Sequence, residues 1–190
     1  MIRYFKKAIP LSIIATGIMA SASFADTFTL RVGSGHPSKP TAYVTNMEKV
    51  LVPNIKKRVA AETNHKVRII EAYAGKIAKV HETLEAVEKG LLDIGSYCVC
   101  FETAKLLPWN FDYFVPFTTT NLETNWAVKH KILKQFPYLT KMLEDKYNQK
   151  FIAMQGFDDY GLGTVKQWQK ASELKGVKVI AAGPNLPWVS

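Results

Sequence analysis

Cysteine is nearly absent from this chain of 190 residues, with only Cys98 and Cys100 present, and histidine is scarce, with four in all. The histidines His36, His65, His81 and His130 form no H-x-x-x-H pair, and no further Cys or His stands near the two cysteines at ligand spacing. A zinc site of the usual kind is therefore excluded. Gly33-x-Gly35 lacks a third glycine, since Ser38 stands in that place, so the dinucleotide-binding fingerprint is not met, and no phosphate-binding P-loop occurs. The 25 Lys and Arg residues are scattered and not gathered into a stripe interleaved with aromatics, which argues against a nucleic-acid surface. A nucleophile–base pair or a convergent pair of carboxylates is also missing from the pattern. Asp158 and Asp159 are adjacent, but they lie in a Gly-rich stretch and read as turn residues.

The N-terminus carries a different signal. Arg3, Lys6 and Lys7 form a positive start, Ala8 to Ala20 is apolar, and Ser23 and Ala25 supply the small residues that a signal peptidase reads. We expect a cleaved leader over residues 1–25. The alternative is a retained anchor, but a span needs about 20 apolar residues. No second hydrophobic run of that kind follows, so the mature chain is expected to be soluble and periplasmic. The leader holds three basic residues and no acidic one, so residues 26–190 keep a net charge of +6. That balance suits anionic partners or substrates without demanding them.

Downstream, the hydrophobic period alternates between two and 3.6. Thr27 to Gly33 alternates as a strand, and Gly33-Ser-Gly-His-Pro37 breaks it. A helix is expected from about Thr41 to Glu62, kinked or broken at Pro53. Val67 to Tyr73 reads as a second strand, Val80 to Val87 as a short helix capped by Gly90, and Leu91 to Tyr97 as a third strand buried on both faces. This β-α-β-α-β order implies a parallel sheet with ligands near the carboxyl ends of its strands. Cys98 and Cys100, two apart at a strand end, read as small half-buried residues. A bridge between them would be strained, although oxidation to each other in an exported protein stays open.

Leu107 to Phe117 is dense in aromatics and proline. It either plugs the core or lets Trp109 or Phe111 wall a ligand cleft. Helices are expected over Asn121–Phe136, with Trp126, Ile132, Leu133 and Phe136 inward, and over Leu139–Tyr147. Further strands are expected at Lys150–Gln155 and Val177–Ala181, with a short turn from Ser172 between them. Polar loops at successive strand ends, Ser34 to His36, Tyr73 to Lys79, Tyr97 to Cys100 and Asp158 to Tyr160, would then surround a pocket.

Several of these segments, taken in order, resemble a known family. They are Leu30-Arg-Val-Gly-Ser-Gly-His-Pro37, Glu71-Ala-Tyr-Ala-Gly75, Glu82-Thr-Leu-Glu-Ala-Val-Glu-Lys-Gly-Leu-Leu-Asp-Ile-Gly95, Val115-Pro-Phe117 and Leu174-Lys-Gly-Val-Lys-Val179. Their order and spacing resemble the solute-binding component of TRAP (tripartite ATP-independent periplasmic) transporters, of the dicarboxylate-binding type. The resemblance implies an α/β fold of the two-lobed, type II-like periplasmic binding-protein kind. It would be incomplete here, with a first lobe over residues 26–120 and the beginning of a second over residues 121–190. It implies a binding protein and not an enzyme, without a cofactor, that closes on a small organic solute and delivers it to membrane permease subunits driven by an ion gradient.

Relatives often carry a carboxylate-binding arginine at the positions of Ile180 and Tyr160. Isoleucine supplies none of a guanidinium's five donors. Either the solute is not a simple dicarboxylate or other groups hold its carboxylate. The expected ligand-contacting residues are His36, Lys79, His81, Tyr97, Trp109, Tyr160, Asn185 and Trp188, with Lys79 and His81 equally readable as solvated helix residues. Two other classes remain as alternatives: a periplasmic α/β enzyme acting on a small carboxylate, and the ligand-sensing domain of a signalling protein.

Overall fold

A computed structural model describes residues 25–115, 118–156, 161–181 and 185–186. The leader assignment over residues 1–25 therefore falls almost wholly outside the described residues. Among those described, no helix is long and apolar enough to cross a membrane.

The fold is mixed α/β, built on a parallel sheet of three strands in the order β2-β1-β3. Strand β1 (Thr27–Gly33) pairs with β2 (Lys66–Ala72) along its whole length, Thr27 opposite Lys66 and Gly33 opposite Ala72. Parallel neighbours cannot be joined by a hairpin, so a helical crossover connects them. The crossover is α1 (Ala42–Asn46), a π-helical turn (Met47–Leu51) and α2 (Val52–Glu62). The break expected at Pro53 takes this form. Proline cannot donate to the carbonyl four residues back, and it sits in the first turn of α2 directly after the widened π segment. Val44, Met47 and Val52 of this crossover pack on Val32 and Tyr73.

A one-turn 3-10 helix (Val80–Glu82) and α3 (Thr83–Glu88) return the chain to the sheet. Gly90 ends α3 at φ +68°, with the amides of Leu91 and Leu92 both donating to the Ala86 carbonyl. Ala72, Ala78, Ala86 and Leu92 form a second small core. Gly33 is required where these layers meet, because a Cβ there would lie 2.6 Å from the Ala72 carbonyl oxygen. Gly35 is equally constrained: a Cβ would collide with the backbone of Lys79 and Val80, so the loop after β1 lies directly on the loop that opens the 3-10 turn.

The third strand is much shorter than its pattern suggested. Only β3 (Ile94–Gly95) pairs with β1, at Val32 and Gly33. Leu91 is exposed, and Leu92 turns into the Ala72–Ala86 core. Asp93 donates its backbone amide to the Arg31 carbonyl at 2.8 Å, and its carboxylate accepts from Arg31 Nε and Nη2 at 2.9 and 3.0 Å and from the Arg31 amide at 2.7 Å. After Gly95 the chain leaves the sheet and coils into a 3-10 turn (Val99–Glu102). Cys98 and Cys100 flank the start of that turn and are joined by a disulfide, contrary to the expectation of two separate side chains. A turn, not an extended strand, brings their Cα atoms to 5.2 Å, inside the bridging range.

Leu107–Phe114 is a kinked 3-10 segment. Helices α4 (Leu122–Gln135) and α5 (Tyr138–Tyr147) follow within a residue of their expected bounds. Leu84, Leu106, Trp109, Leu133, Leu139 and Leu143 form the largest core cluster. Trp126 and Phe136, expected inward, are half exposed. Trp126 shares a helix face with Leu133, but at its level α4 runs beside an open cavity. The strands expected at Lys150–Gln155 and Val177–Ala181 are not formed. An extended segment becomes a strand only against a hydrogen-bonding neighbour, and the described residues pair none with either. Ala171–Leu174 forms the expected short turn.

Candidate functional site

A cavity of about 1410 Å³ opens between α1 and its π turn, the carboxyl end of β3, the aromatic 3-10 segment, α4 and residues 148–156. Of the strand-end loops expected to surround a pocket, the one after β3 lines it, whereas Ser34 to His36 and Tyr73 to Lys79 do not, and Asp158 to Tyr160 lies outside the described residues. Leu92 to Gly95, through β3, and Ser96, Tyr97, Cys98 and Val99 directly beyond it form one wall. The β1 end joins through Tyr43 of α1, which lines the cavity and whose hydroxyl meets His36 Nδ1 at 2.6 Å.

Two tyrosines give the wall its polar groups. Burial pushes the Tyr43 hydroxyl up to about 12, against the opposing hydrogen bonds from Ser34 and the Cys98 backbone. Burial, with the nearby Glu102 and Glu85 charges, also raises Tyr97, whose hydroxyl donates to Gln149 Oε1 at 3.2 Å. Gln149 is in turn anchored by donating to the Leu84 carbonyl at 2.8 Å. Both hydroxyls therefore stay protonated at neutral pH and act as fixed hydrogen-bonding groups. Burial, followed by the His81 charge, lowers His36. A raised tyrosine beside a lowered histidine keeps the proton on oxygen, so this pair orients a hydroxyl and does not generate a phenolate.

The cavity also holds an ion pair. Lys129 on α4 is only 8% exposed and meets Asp112 Oδ2 at 2.5 Å, and both line the cavity. A buried cation needs such compensation. The pair leaves the wall close to neutral while keeping strong donors and acceptors within it. Phe111, Tyr113 and Trp126 add aromatic surface, with Trp126 tilted against His130 at a ring separation of 4.1 Å.

The expected ligand-contacting residues divide. Tyr97 and Trp109 line the cavity, and His36 reaches its edge through Tyr43. Trp109 is also a core residue: it is buried, its Nε1 donates to the Leu139 carbonyl at 3.1 Å, and it packs on Phe151. The aromatic stretch thus both plugs the core and walls the cavity. His81 lies apart, edge-on to Phe101 at 5.3 Å with Nδ1 against the Phe101 carbonyl, and His36 packs on the same ring at 5.2 Å. Lys79 is exposed and spends its backbone amide on the Glu82 carboxylate in a capping arrangement. Neither Lys79, His81 nor Asn185 lines the cavity. Tyr160 and Trp188 lie outside the described residues.

Sequence reasoning missed Tyr43, Asp112 and Lys129. The available signal was a lysine four residues before the inward Leu133, together with a single carboxylate inside an aromatic run. Among the described residues, no group of three or more His, Cys, Asp or Glu side chains is placed to hold a metal ion. Comparison with protein-family models, curated proteins and solved structures found no match to this chain.

Proposed function

We propose that this chain is the solute-binding component of a TRAP-type secondary transporter, acting in the periplasm behind a cleaved leader. It takes up a small polar or anionic organic solute and delivers it to membrane permease subunits. In this reading the parallel sheet belongs to one lobe of a two-lobed, type II-like binding protein. The solute stabilises the closed arrangement of the lobes to the extent that it binds that arrangement better than the open one.

One observation carries the proposal. The cavity runs along β3 and the chain that follows it and combines aromatic surface with neutral tyrosine hydroxyls and a compensated lysine. Such a wall offers hydrogen bonds and stacking without an activated nucleophile, which suits capture and release more than turnover. With isoleucine at position 180, the cations lining the cavity are Lys129, which is paired with Asp112, and the exposed Lys150.

A thermal-shift screen of the purified protein against carboxylates, sugar acids and amino acids tests this. A true ligand at 100 times its Kd adds about 2.7 kcal/mol of stability. The shift should saturate with one solute class and weaken in Tyr43→Phe. A protein that melts cooperatively yet gives no saturable shift with any member of the panel would refute the proposal, as would turnover of a bound carboxylate.

A further inference from the structure

We infer that Cys98 is a site of thiol–disulfide exchange with a small thiol that enters the cavity, and that Cys100 is the sulfur displaced. The two cysteines share one disulfide, but their surroundings differ. Cys98 is half-buried and lines the cavity, with its Sγ 3.9 Å from the Tyr113 hydroxyl, another cavity-lining group. Cys100 is 9% exposed and does not line the cavity. A thiolate attacks a disulfide along the line of the S–S bond, and access decides which sulfur it reaches. From the cavity, the accessible sulfur is Cys98.

The step balances without an external oxidant. A small thiolate bonds to Cys98 Sγ, the Cys98–Cys100 bond breaks, and its electron pair leaves on Cys100, which takes a proton from solvent. A second thiolate can then attack the mixed disulfide, which releases the Cys98 thiol and a low-molecular-weight disulfide. Two electrons pass from the pair of thiols to the protein.

The site matters because of where the bridge stands. Tyr97, Cys98 and Val99 are consecutive wall residues, and the bridge closes the turn they enter. The Cys100 amide donates to Cys98 Sγ at 3.4 Å, so the sulfur is part of the turn's own hydrogen bonding. A group attached to Cys98 would occupy cavity space beside Tyr97 and Tyr113. Opening the bridge would release the turn that positions them.

The test uses the full chain purified without reductant. It is treated briefly with 2-mercaptoethanol, capped with N-ethylmaleimide, digested and sequenced by tandem mass spectrometry. The expected product carries the hydroxyethylthio group on Cys98 and the maleimide on Cys100, in excess of the reverse pattern by about tenfold. In guanidinium chloride this preference should disappear. The single variants provide a second reading: the lone thiol of Cys100→Ser should react with N-ethylmaleimide about tenfold faster than that of Cys98→Ser in the native protein, and equally fast when denatured. A ratio near one in the native protein, a preference for Cys100, a bridge that survives the thiol, or free thiols in the untreated protein would each overturn the inference.

Discussion

Residues 27–95 and residues 161–181 both carry strand-like and turn-like patterns, yet only the first region becomes a sheet. In the first, β1 lies between two partners, and each crossover buries an apolar face: α1 and α2 against Val32, and α3 through Ala86 and Leu92. In the second, nearly every residue is exposed, and Ile180 is 98% exposed. Val177, Val179 and Ile180 are β-branched, as strand residues often are, but among the described residues no neighbouring strand offers them a ladder. Periodicity states which face a segment would bury. It does not supply the surface to bury it against.

The contrast can be broken most forcefully in the packed region. Leu106 is fully buried in the largest core cluster, so Leu106→Ala should cost about 3 kcal/mol in chemical denaturation. A loss below about 1 kcal/mol would mean that the cluster is loosely packed. Gly35→Ala places a methyl group against the Lys79–Val80 backbone, which cannot rotate away as a side chain would, and should cost about 2 kcal/mol. The same variant should displace the His36–Tyr43 contact, seen as a change in the His36 imidazole resonances by NMR.

The Arg31–Asp93 clasp sharpens the comparison through pH. The hydrogen bonds from Arg31 hold the Asp93 carboxyl below its ordinary value, so its contribution to stability is present above about pH 4 and is lost as pH falls through the lowered folded value. Stability followed by denaturation between pH 6 and pH 2 should therefore decline, and Asp93→Asn should remove part of that decline. An unchanged slope in the variant would show that the clasp does not distinguish folded from unfolded chain. The smallest effect is expected in the exposed region, where Ile180→Ser should change stability by less than about 0.5 kcal/mol. A larger loss would reveal packing there that the described residues do not provide.

Much of the local structure was legible because its causes are local. Strand β1 was readable from end to end, since Thr27 to Gly33 alternates and a glycine run follows it. Helices α4 and α5 were readable to within a residue because Asn121 caps the first, accepting from the Thr124 amide at 2.8 Å, and proline separates the two. Gly90 was readable as a helix stop because a positive φ favours glycine. The shortened third strand was not readable, because where its ladder on β1 stops depends on residues far away in the chain, such as Arg31, which clasps Asp93 across a separation of 62. The cavity was half readable. Tyr97 and Trp109 stood out at a strand end and in an aromatic run, whereas the Lys129–Asp112 pair joins two segments whose facing is set by core packing.

The sequence by itself determined where the chain turns, which stretches coil and which extend, and that strands alternating with helices would lie parallel. Those choices depend on backbone preference and on residues within a few positions of one another. Only the tertiary structure decided which extended stretches found a ladder partner, that Cys98 and Cys100 meet across a turn, and that a tyrosine, an aspartate and a lysine from three separate elements face one cavity. Those outcomes depend on contacts between residues far apart in the chain, whose energies arise only once the layers have packed.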